Sequence, residues 1–171
     1  MLERIAQSRQ KADVIVGIDP DIENSGVCII KPKEKSICIS SASITELMYI
    51  LKGMEVDSKE KGEKIRIFVE AGWKNESNWH INPSFAKKVC VEIGRRTGLN
   101  HATAKIIADI ARSFFNLDVI EIRPLKKCWK GKDGKITHEE LNYQLKLYGF
   151  KPLKRTNQDI RDSVLLALLN I

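Results

Sequence analysis

The sequence has no apolar run that approaches the roughly 20 residues needed to cross a bilayer. Its first residues, MLERIAQSRQKAD, are polar and lack the apolar centre of a secretory signal. The four cysteines include no pair at C-x-x-C spacing, which disfavours a zinc site. We therefore expect a globular cytoplasmic protein with no membrane segment and with free thiols, of which Cys28 and Cys38 are buried in apolar strands.

Internal repeats, low-complexity tracts and linkers between domains are also absent from the sequence. A chain of 171 residues is long enough to bury a full core within one domain. We predict a single domain over 1–171, in which 1–12 form an N-terminal extension and 123–155 form an inserted basic loop and helix.

Positive charge is the feature that the sequence has in excess, with a net charge of +7. Residues 123–155 carry ten basic and three acidic side chains, so the rest of the chain sums to zero. A basic block of this kind indicates a polyanionic partner, most commonly nucleic acid. The alternative is a solvated basic surface without a partner.

Apolar periodicity predicts an α/β protein with a mixed five-stranded sheet, in which three antiparallel strands precede parallel strands and helices cover both faces. The charged, glycine-containing run 53–64 is predicted to be a loop, and the second helix is predicted to break near Gly94–Gly98. Thr137 and Glu140 have the spacing of a capping box. Strands are predicted at 14–19, 26–31, 36–40, 65–70 and 118–122, and helices at 43–51, from Pro83 to about 115, 137–149 and 157–169.

Carboxylates stand at the ends of two predicted strands and at the start of the last helix. Asp19 ends the first strand, Glu70 ends the fourth, and Asp159 and Asp162 lie three residues apart on one helical face. Acid groups gathered at one edge repel one another unless cations lie between them. Mg²⁺ and Mn²⁺ prefer oxygen ligands, and two such ions about 4 Å apart can activate water and stabilise a leaving oxygen in phosphodiester hydrolysis.

Each carboxylate also has a purely structural interpretation. Asp19 could begin a turn, Glu70 could simply end a strand, and Asp159 could favour the positive end of a helix. Asp21 and Glu23, on the turn after the first strand, are interpreted as solvated. The order of the acidic positions, in a chain with a separate basic block, favours the metal site.

Three motifs resemble those of the RuvC-type Holliday-junction resolvases of the RNase H-like superfamily. VIVGIDPDIENSGVCII is similar to the first motif, IRIFVEAGW to the second and DIRDSVLLAL to the last, in the family's order. The resemblance implies an RNase H-like fold with the order β-β-β-α-β-α-β-α. It also implies that Asp19, Glu70, Asp159 and Asp162 are catalytic and bind the metal. Asp21 stands where the family motif commonly has glycine.

The resemblance further implies a DNA-binding surface and a homodimer. Trp73 occupies the position of an aromatic residue that stacks on bases near the junction, although packing of this ring in the core is the alternative. Trp79 is a weaker candidate for the same role. A homodimer suits a two-fold substrate. The lysines that correspond to the family's basic loop are candidate phosphate contacts: Lys126, Lys127, Lys130, Lys132 and Lys135.

The sequence therefore predicts a Mg²⁺-dependent or Mn²⁺-dependent endonuclease that binds two ions and cuts branched DNA such as a four-way junction, in recombination or repair. One alternative is a non-catalytic binder of branched nucleic acid with the same fold. Another is an ATPase of the actin and sugar-kinase type, which needs two domains and glycine-rich phosphate loops for which this chain has no room.

Overall fold

The computed structural model describes residues 11–75 and 84–171. Within them, the elements follow the order β1-β2-β3-α1-β4-α2-β5-α3-α4. Short 3₁₀ turns lie at Gly72–Lys74 and Lys132–Gly134. The strands are β1 (Val14–Asp19), β2 (Ser25–Lys31), β3 (Ser36–Ala42), β4 (Ile65–Glu70) and β5 (Asp118–Ile122). The helices are α1 (Ile44–Lys61), α2 (Lys87–Ser113), α3 (His138–Leu147) and α4 (Gln158–Leu168).

The five strands form one mixed sheet in the order β3-β2-β1-β4-β5. The β1–β2 and β2–β3 pairs are antiparallel, and the β1–β4 and β4–β5 pairs are parallel. The predicted mixed sheet is therefore confirmed. The element order follows the one implied by the resemblance, with one additional helix, α3, between β5 and the last helix.

Alternation along the strands divides the core between the two faces of the sheet. Val14, Val16 and Ile18 of β1 face the same side as α1 and α2. Ile15 of β1 and Phe68 of β4 pack instead with α3 and α4. Asp19 and Glu70 are an even number of residues from Ile15 and Phe68, so their side chains point to the same face. Both carboxylates therefore lie at the edge of the face that α4 covers.

Two glycines allow α4 to lie directly on the sheet. A Cβ on Gly17 of β1 would stand 2.1 Å from the Ser163 carbonyl oxygen and 2.8 Å from the Ala167 nitrogen. A Cβ on Gly26 of β2 would stand 2.2 Å from the Asp159 carbonyl oxygen. Side chains at these positions would force the helix away from the strands, so these glycines set how closely α4 approaches.

The run 53–64, predicted to be a loop, is mostly helix, because α1 continues to Lys61. Side chains one turn apart support this extension: Glu55 accepts from both Lys52 and Lys59, and Lys61 pairs with Asp57. Gly53 lies inside the helix, which ends at Gly62 in the left-handed conformation (φ 65°). Helix-stabilising pairs therefore outweigh the glycine and the high charge that suggested a loop.

Two further predictions about the fold are wrong. The helix α2 passes without a break through Gly94 and Gly98. Cys38 is exposed because its side chain lies on the outer edge strand β3, whereas Cys28 is buried as predicted. The predicted start of α2 at Pro83 falls outside the described residues.

In the part of the chain that the structure describes, no helix combines the length and the apolar character that a bilayer-spanning segment requires.

We expect Gly17→Ala to lower the unfolding free energy by about 1–3 kcal/mol, because the new methyl group would overlap the α4 backbone. Urea unfolding measures this change. Gly53→Ala is the matched control, since nothing lies within 4 Å of its Cβ position. This control should gain about 0.5–1 kcal/mol from the better helix propensity of alanine. Equal stability of Gly17→Ala and wild type would contradict the close packing of α4.

Candidate active site

Adjacent parallel strands bring the first two carboxylates together. Ile18 of β1 lies opposite Val69 of β4 in the parallel register, so Asp19 and Glu70 follow at neighbouring strand ends. Both are only partly accessible to solvent. The carboxyl ends of parallel strands thus form one side of an acidic site.

The start of α4 supplies the other side of this site. Asn157 caps the helix, its side-chain oxygen accepting from the Ile160 amide at 2.9 Å. Asp159 follows in the first turn, and its backbone lies against Gly26, which pairs with Asp19 across the β1–β2 ladder. Asp162 lies one turn further along the helix. The last helix therefore delivers its two acid groups to the strand ends.

The electrostatics show that these groups influence one another. Burial raises the pKa of Asp19 well above its usual value, and the charges of Glu70, Asp162 and Asp159 raise it further. Burial and then Asp162 raise the pKa of Glu70 to about 7, although a backbone hydrogen bond from Leu125 acts in the opposite direction. Burial, followed by the charge of Asp21, raises the pKa of Asp159. The four predicted carboxylates therefore form one interacting cluster.

Lysines of the basic loop lie beside this cluster. A cavity of about 100 Å³ is lined by Glu70 and Asp162 together with Lys126, Lys127 and Lys135. The Nζ atom of Lys135 is 3.4 Å from Asp162 Oδ2, and its charge lowers the pKa of both Asp19 and Glu70. Three of the five predicted lysines thus reach the acidic site, while Lys130 and Lys132 are exposed outside the cavity.

The predicted capping box holds the basic loop against α3. Thr137 caps the helix by accepting from the Glu140 amide, and the Glu140 carboxylate accepts from the Thr137 amide. The same carboxylate also accepts from the Lys130 amide, at 3.1 Å. One glutamate therefore fixes both the start of α3 and the loop that carries the lysines.

Trp73 lies on the other side of the sheet from the acidic site. The half-buried ring packs against the core beneath α1 and α2. His101 meets it edge-on with 6.3 Å between ring centroids, and Lys105 Nζ lies 5.3 Å from the centroid. Trp73 therefore combines core packing with partial exposure, and its stacking on DNA stays a prediction. Trp79 lies outside the described residues.

Asp21 is not the solvated residue that the sequence suggested. It is partly buried, with Oδ1 accepting from the Glu23 amide at 2.9 Å and Oδ2 accepting from Asn100 Nδ2 at 2.9 Å. Asn100 of α2 also accepts from the Ile22 amide. An aspartate that accepts from the amide two residues later is a local turn signal, which the sequence could have indicated. The contact with Asn100 joins residues 79 positions apart, so local spacing could not have identified it. Glu23 is exposed, as predicted.

The donor chemistry of the cluster fits Mg²⁺ or Mn²⁺, because all four side chains offer carboxylate oxygens and their mutual repulsion would be relieved by a cation. Within residues 11–75 and 84–171, however, no three His, Cys, Asp or Glu side chains already converge on a common point that could hold an ion. The oxygens of Asp162 instead contact Lys135 and Gln158. Ion binding would therefore require Lys135 to leave Asp162 Oδ2 and the other carboxylates to turn towards a common point.

Comparisons with known proteins find resemblance in structure only. No family model matches the chain, and no curated protein matches its sequence. Among solved structures, RuvC of Thermus thermophilus has 16% identity and a TM-score of 0.48, with 91% of each chain covered. The same protein in complex with a Holliday junction substrate has 14% identity and a TM-score of 0.48, with 91% of this chain and 90% of that chain covered.

The Fowlpox virus resolvase, in complex with substrate Holliday junction DNA, has 15% identity and a TM-score of 0.43. The match covers 91% of this chain and 95% of that chain.

We expect Glu70→Gln to flatten the pH dependence of stability in the metal-free protein. An unfolded glutamate loses its proton near pH 4.5, whereas the pKa of folded Glu70 is about 7. Between these values the folded state binds more protons, so stability falls as the pH rises. The stability of the variant relative to wild type should increase by about 1–3 kcal/mol from pH 5 to pH 8, measured by urea unfolding in EDTA.

The control is Glu60→Gln, which changes an exposed glutamate of α1 and should leave the pH dependence of wild type unchanged. A Glu70→Gln variant that loses as much stability as wild type between pH 5 and pH 8 would contradict the prediction.

Proposed function

We propose that this protein is a divalent-metal-dependent endonuclease of the RuvC type that cuts four-way DNA junctions, in recombination or repair. The observation that carries this proposal is that three distant segments bring Asp19, Glu70, Asp159 and Asp162 to one edge of the sheet, with the start of α4 packed against the strand ends. We further propose that the protein acts as a homodimer, because a four-way junction offers two symmetric cutting positions.

The carboxylates would hold the ions at the edge of the sheet. Two bound ions would supply an activated water and stabilise the leaving oxygen of the phosphodiester. Asp19 and Glu70 are carried by rigid neighbouring strands, so their separation is set by the β1–β4 pairing. Asp159 and Asp162 are carried by a helix packed on those strands. All four donors are therefore carried by regular structure.

The lysines that line the cavity would contact the DNA backbone. Lys127 and Lys135 are partly buried next to Glu70 and Asp162, whereas Lys126 is more exposed. In the metal-free protein, Lys135 partly neutralises the carboxylates. Metal binding would remove the need for this neutralisation and leave the ammonium group available for a phosphate oxygen. We propose Lys135 as the lysine nearest to the scissile phosphate, with Trp73 stacking near the branch.

A non-catalytic binder of branched nucleic acid is the second candidate. It is favoured by one observation, that no three possible ligands among the described residues already surround an ion position. Against it, uncompensated carboxylates beside the lysines would repel the phosphate backbone that such a binder must hold. The two candidates differ in a measurable property: an enzyme cleaves the junction, and substitution of a carboxylate abolishes that cleavage, whereas a binder does not cleave it at all.

We expect wild type to cut a four-way junction in Mg²⁺, and to cut linear duplex and RNA–DNA hybrid far less. Asp19→Asn should lower the cleavage rate by about 100-fold or more, because one oxygen ligand becomes a neutral amide. Junction affinity, measured in EDTA by gel shift, should stay within about 3-fold of wild type. Asp118→Asn, at the exposed start of β5, is the control and should cleave normally.

Failure of wild type to cut any of the three substrates in Mg²⁺ or Mn²⁺, while still binding the junction, would support the non-catalytic binder. Preferred cutting of the hybrid would contradict the proposed substrate but leave the nuclease proposal intact.

We also expect Mn²⁺ to stabilise the protein without DNA. At about a hundred times its Kd, the ion should raise the unfolding free energy by about 2.7 kcal/mol, and so raise Tm. Asp162→Asn should abolish most of this shift, whereas Asp109→Asn, on the exposed side of α2, should keep it. Thermal unfolding with and without Mn²⁺ measures the effect, and an equal shift in both variants would argue against a site at Asp162.

A further inference from the structure

Gln158, the first residue of α4, joins the acidic site to a fixed arginine. Its Nε2 donates to Asp162 Oδ1 at 2.7 Å, one helical turn away. Its Oε1 accepts from Arg161 Nη2 at 2.8 Å. The Gln158 amide is therefore engaged at both ends, and one end holds a carboxylate of the site.

The backbone holds Arg161 in place. Its Nε donates to the Ile136 carbonyl at 2.9 Å, and its Nη1 donates to the Thr156 carbonyl at 2.9 Å. These two carbonyls belong to the segments that precede α3 and α4. With two nitrogens of the planar guanidinium bonded to backbone, the direction of the third is determined.

The charge of Arg161 decides which way the Gln158 amide points. A guanidinium has only donors, so the group facing it must be the amide oxygen. The amide NH₂ group is thereby turned towards Asp162, where it donates to one carboxylate oxygen. The reverse orientation would set donor against donor at Arg161 and acceptor against acceptor at Asp162. The orientation of Gln158 thus follows from the fixed position of Arg161.

The two oxygens of Asp162 have different partners. Oδ1 is held by Gln158, which lies on the same helix and is fixed by Arg161. Oδ2 faces Lys135, whose longer contact of 3.4 Å comes from the basic loop. Lys135 has a flexible side chain and can move away without disturbing α4. Oδ2 is therefore the oxygen that can change partner, while Oδ1 keeps the carboxylate plane in place.

We infer that Gln158 is a positioning residue that holds Asp162 in the orientation in which its Oδ2 atom, once Lys135 moves away, binds a divalent cation. The inference rests on the proposed function, since it assigns Asp162 to the metal site. Hydrogen-bond partners behind metal ligands set the orientation of those ligands, and their loss typically costs 10–100-fold in metal affinity or activity. Arg161 acts indirectly, by fixing the orientation of the Gln158 amide.

The test is Gln158→Leu, which keeps the bulk of the side chain and removes the amide. We expect about 10-fold weaker Mn²⁺ binding, measured by calorimetry without DNA. Turnover of a four-way junction at saturating Mg²⁺ should fall about 10-fold in kcat, with KM for the junction within about 2-fold of wild type. Arg161→Lys should show a smaller loss of the same kind. The Gln158 amide that donates to Asp162 is still present in this variant, but the arginine that fixes its orientation is gone.

Asn142→Leu is the matched control, because it also replaces a half-buried amide with leucine. Asn142 of α3 accepts from the Leu153 amide at 2.8 Å and donates to the Leu153 carbonyl at 3.1 Å. This variant should lose stability, measured by urea unfolding, yet keep wild-type Mn²⁺ affinity and kcat. The comparison separates positioning of Asp162 from general support of the fold.

Wild-type Mn²⁺ affinity and kcat in Gln158→Leu would overturn the inference and leave the proposed function standing. Equal losses in Gln158→Leu and Asn142→Leu would also overturn it, because both would then follow from weakened folding. Failure of wild type itself to bind Mn²⁺ and to cleave junctions would instead overturn the proposed function, and the inference with it.

Discussion

The close contact between α4 and the β1–β2 pair is the constraint on which the rest of the site depends. Gly17 and Gly26 have no side chains, and the backbone of α4 occupies the space that a Cβ would need. This contact brings Asp159 against the strand residue that pairs with Asp19, and it places Asp162 one turn further along. Without it, the strand carboxylates and the helix carboxylates would belong to different parts of the surface.

The acidic site differs from Glu55, a buried carboxylate elsewhere in the described part of the chain. Glu55 of α1 is 7% exposed, yet hydrogen bonds from Lys52 and Lys59 hold its pKa below the usual value. At the acidic site, burial and mutual repulsion raise the pKa of Asp19 and Glu70, although lysines lie nearby. The same chain thus neutralises one buried carboxylate fully and leaves a cluster of them short of positive charge. In the proposed function, bound cations would supply the missing positive charge.

Much of the fold could be predicted from local pattern. The strands at 14–19, 65–70 and 118–122 have the predicted bounds, because β-branched alternation and flanking polar residues are local signals. The loop prediction for 53–64 is wrong because the pairing of side chains one turn apart stabilises a helix there despite the glycine and the high charge. The predicted break in α2 is also wrong, because the long helix tolerates Gly94 and Gly98.

The sequence alone determined which residues end the strands and which carboxylates share a face of the last helix, because both follow from spacing along a few residues. Only the tertiary structure decided that Lys127 and Lys135 approach the acids while Lys130 and Lys132 do not. It also decided that Asn100 holds Asp21 and that Arg161 orients Gln158. These contacts depend on how loops and helix ends meet, and that depends on the packing of distant segments, which local spacing does not encode.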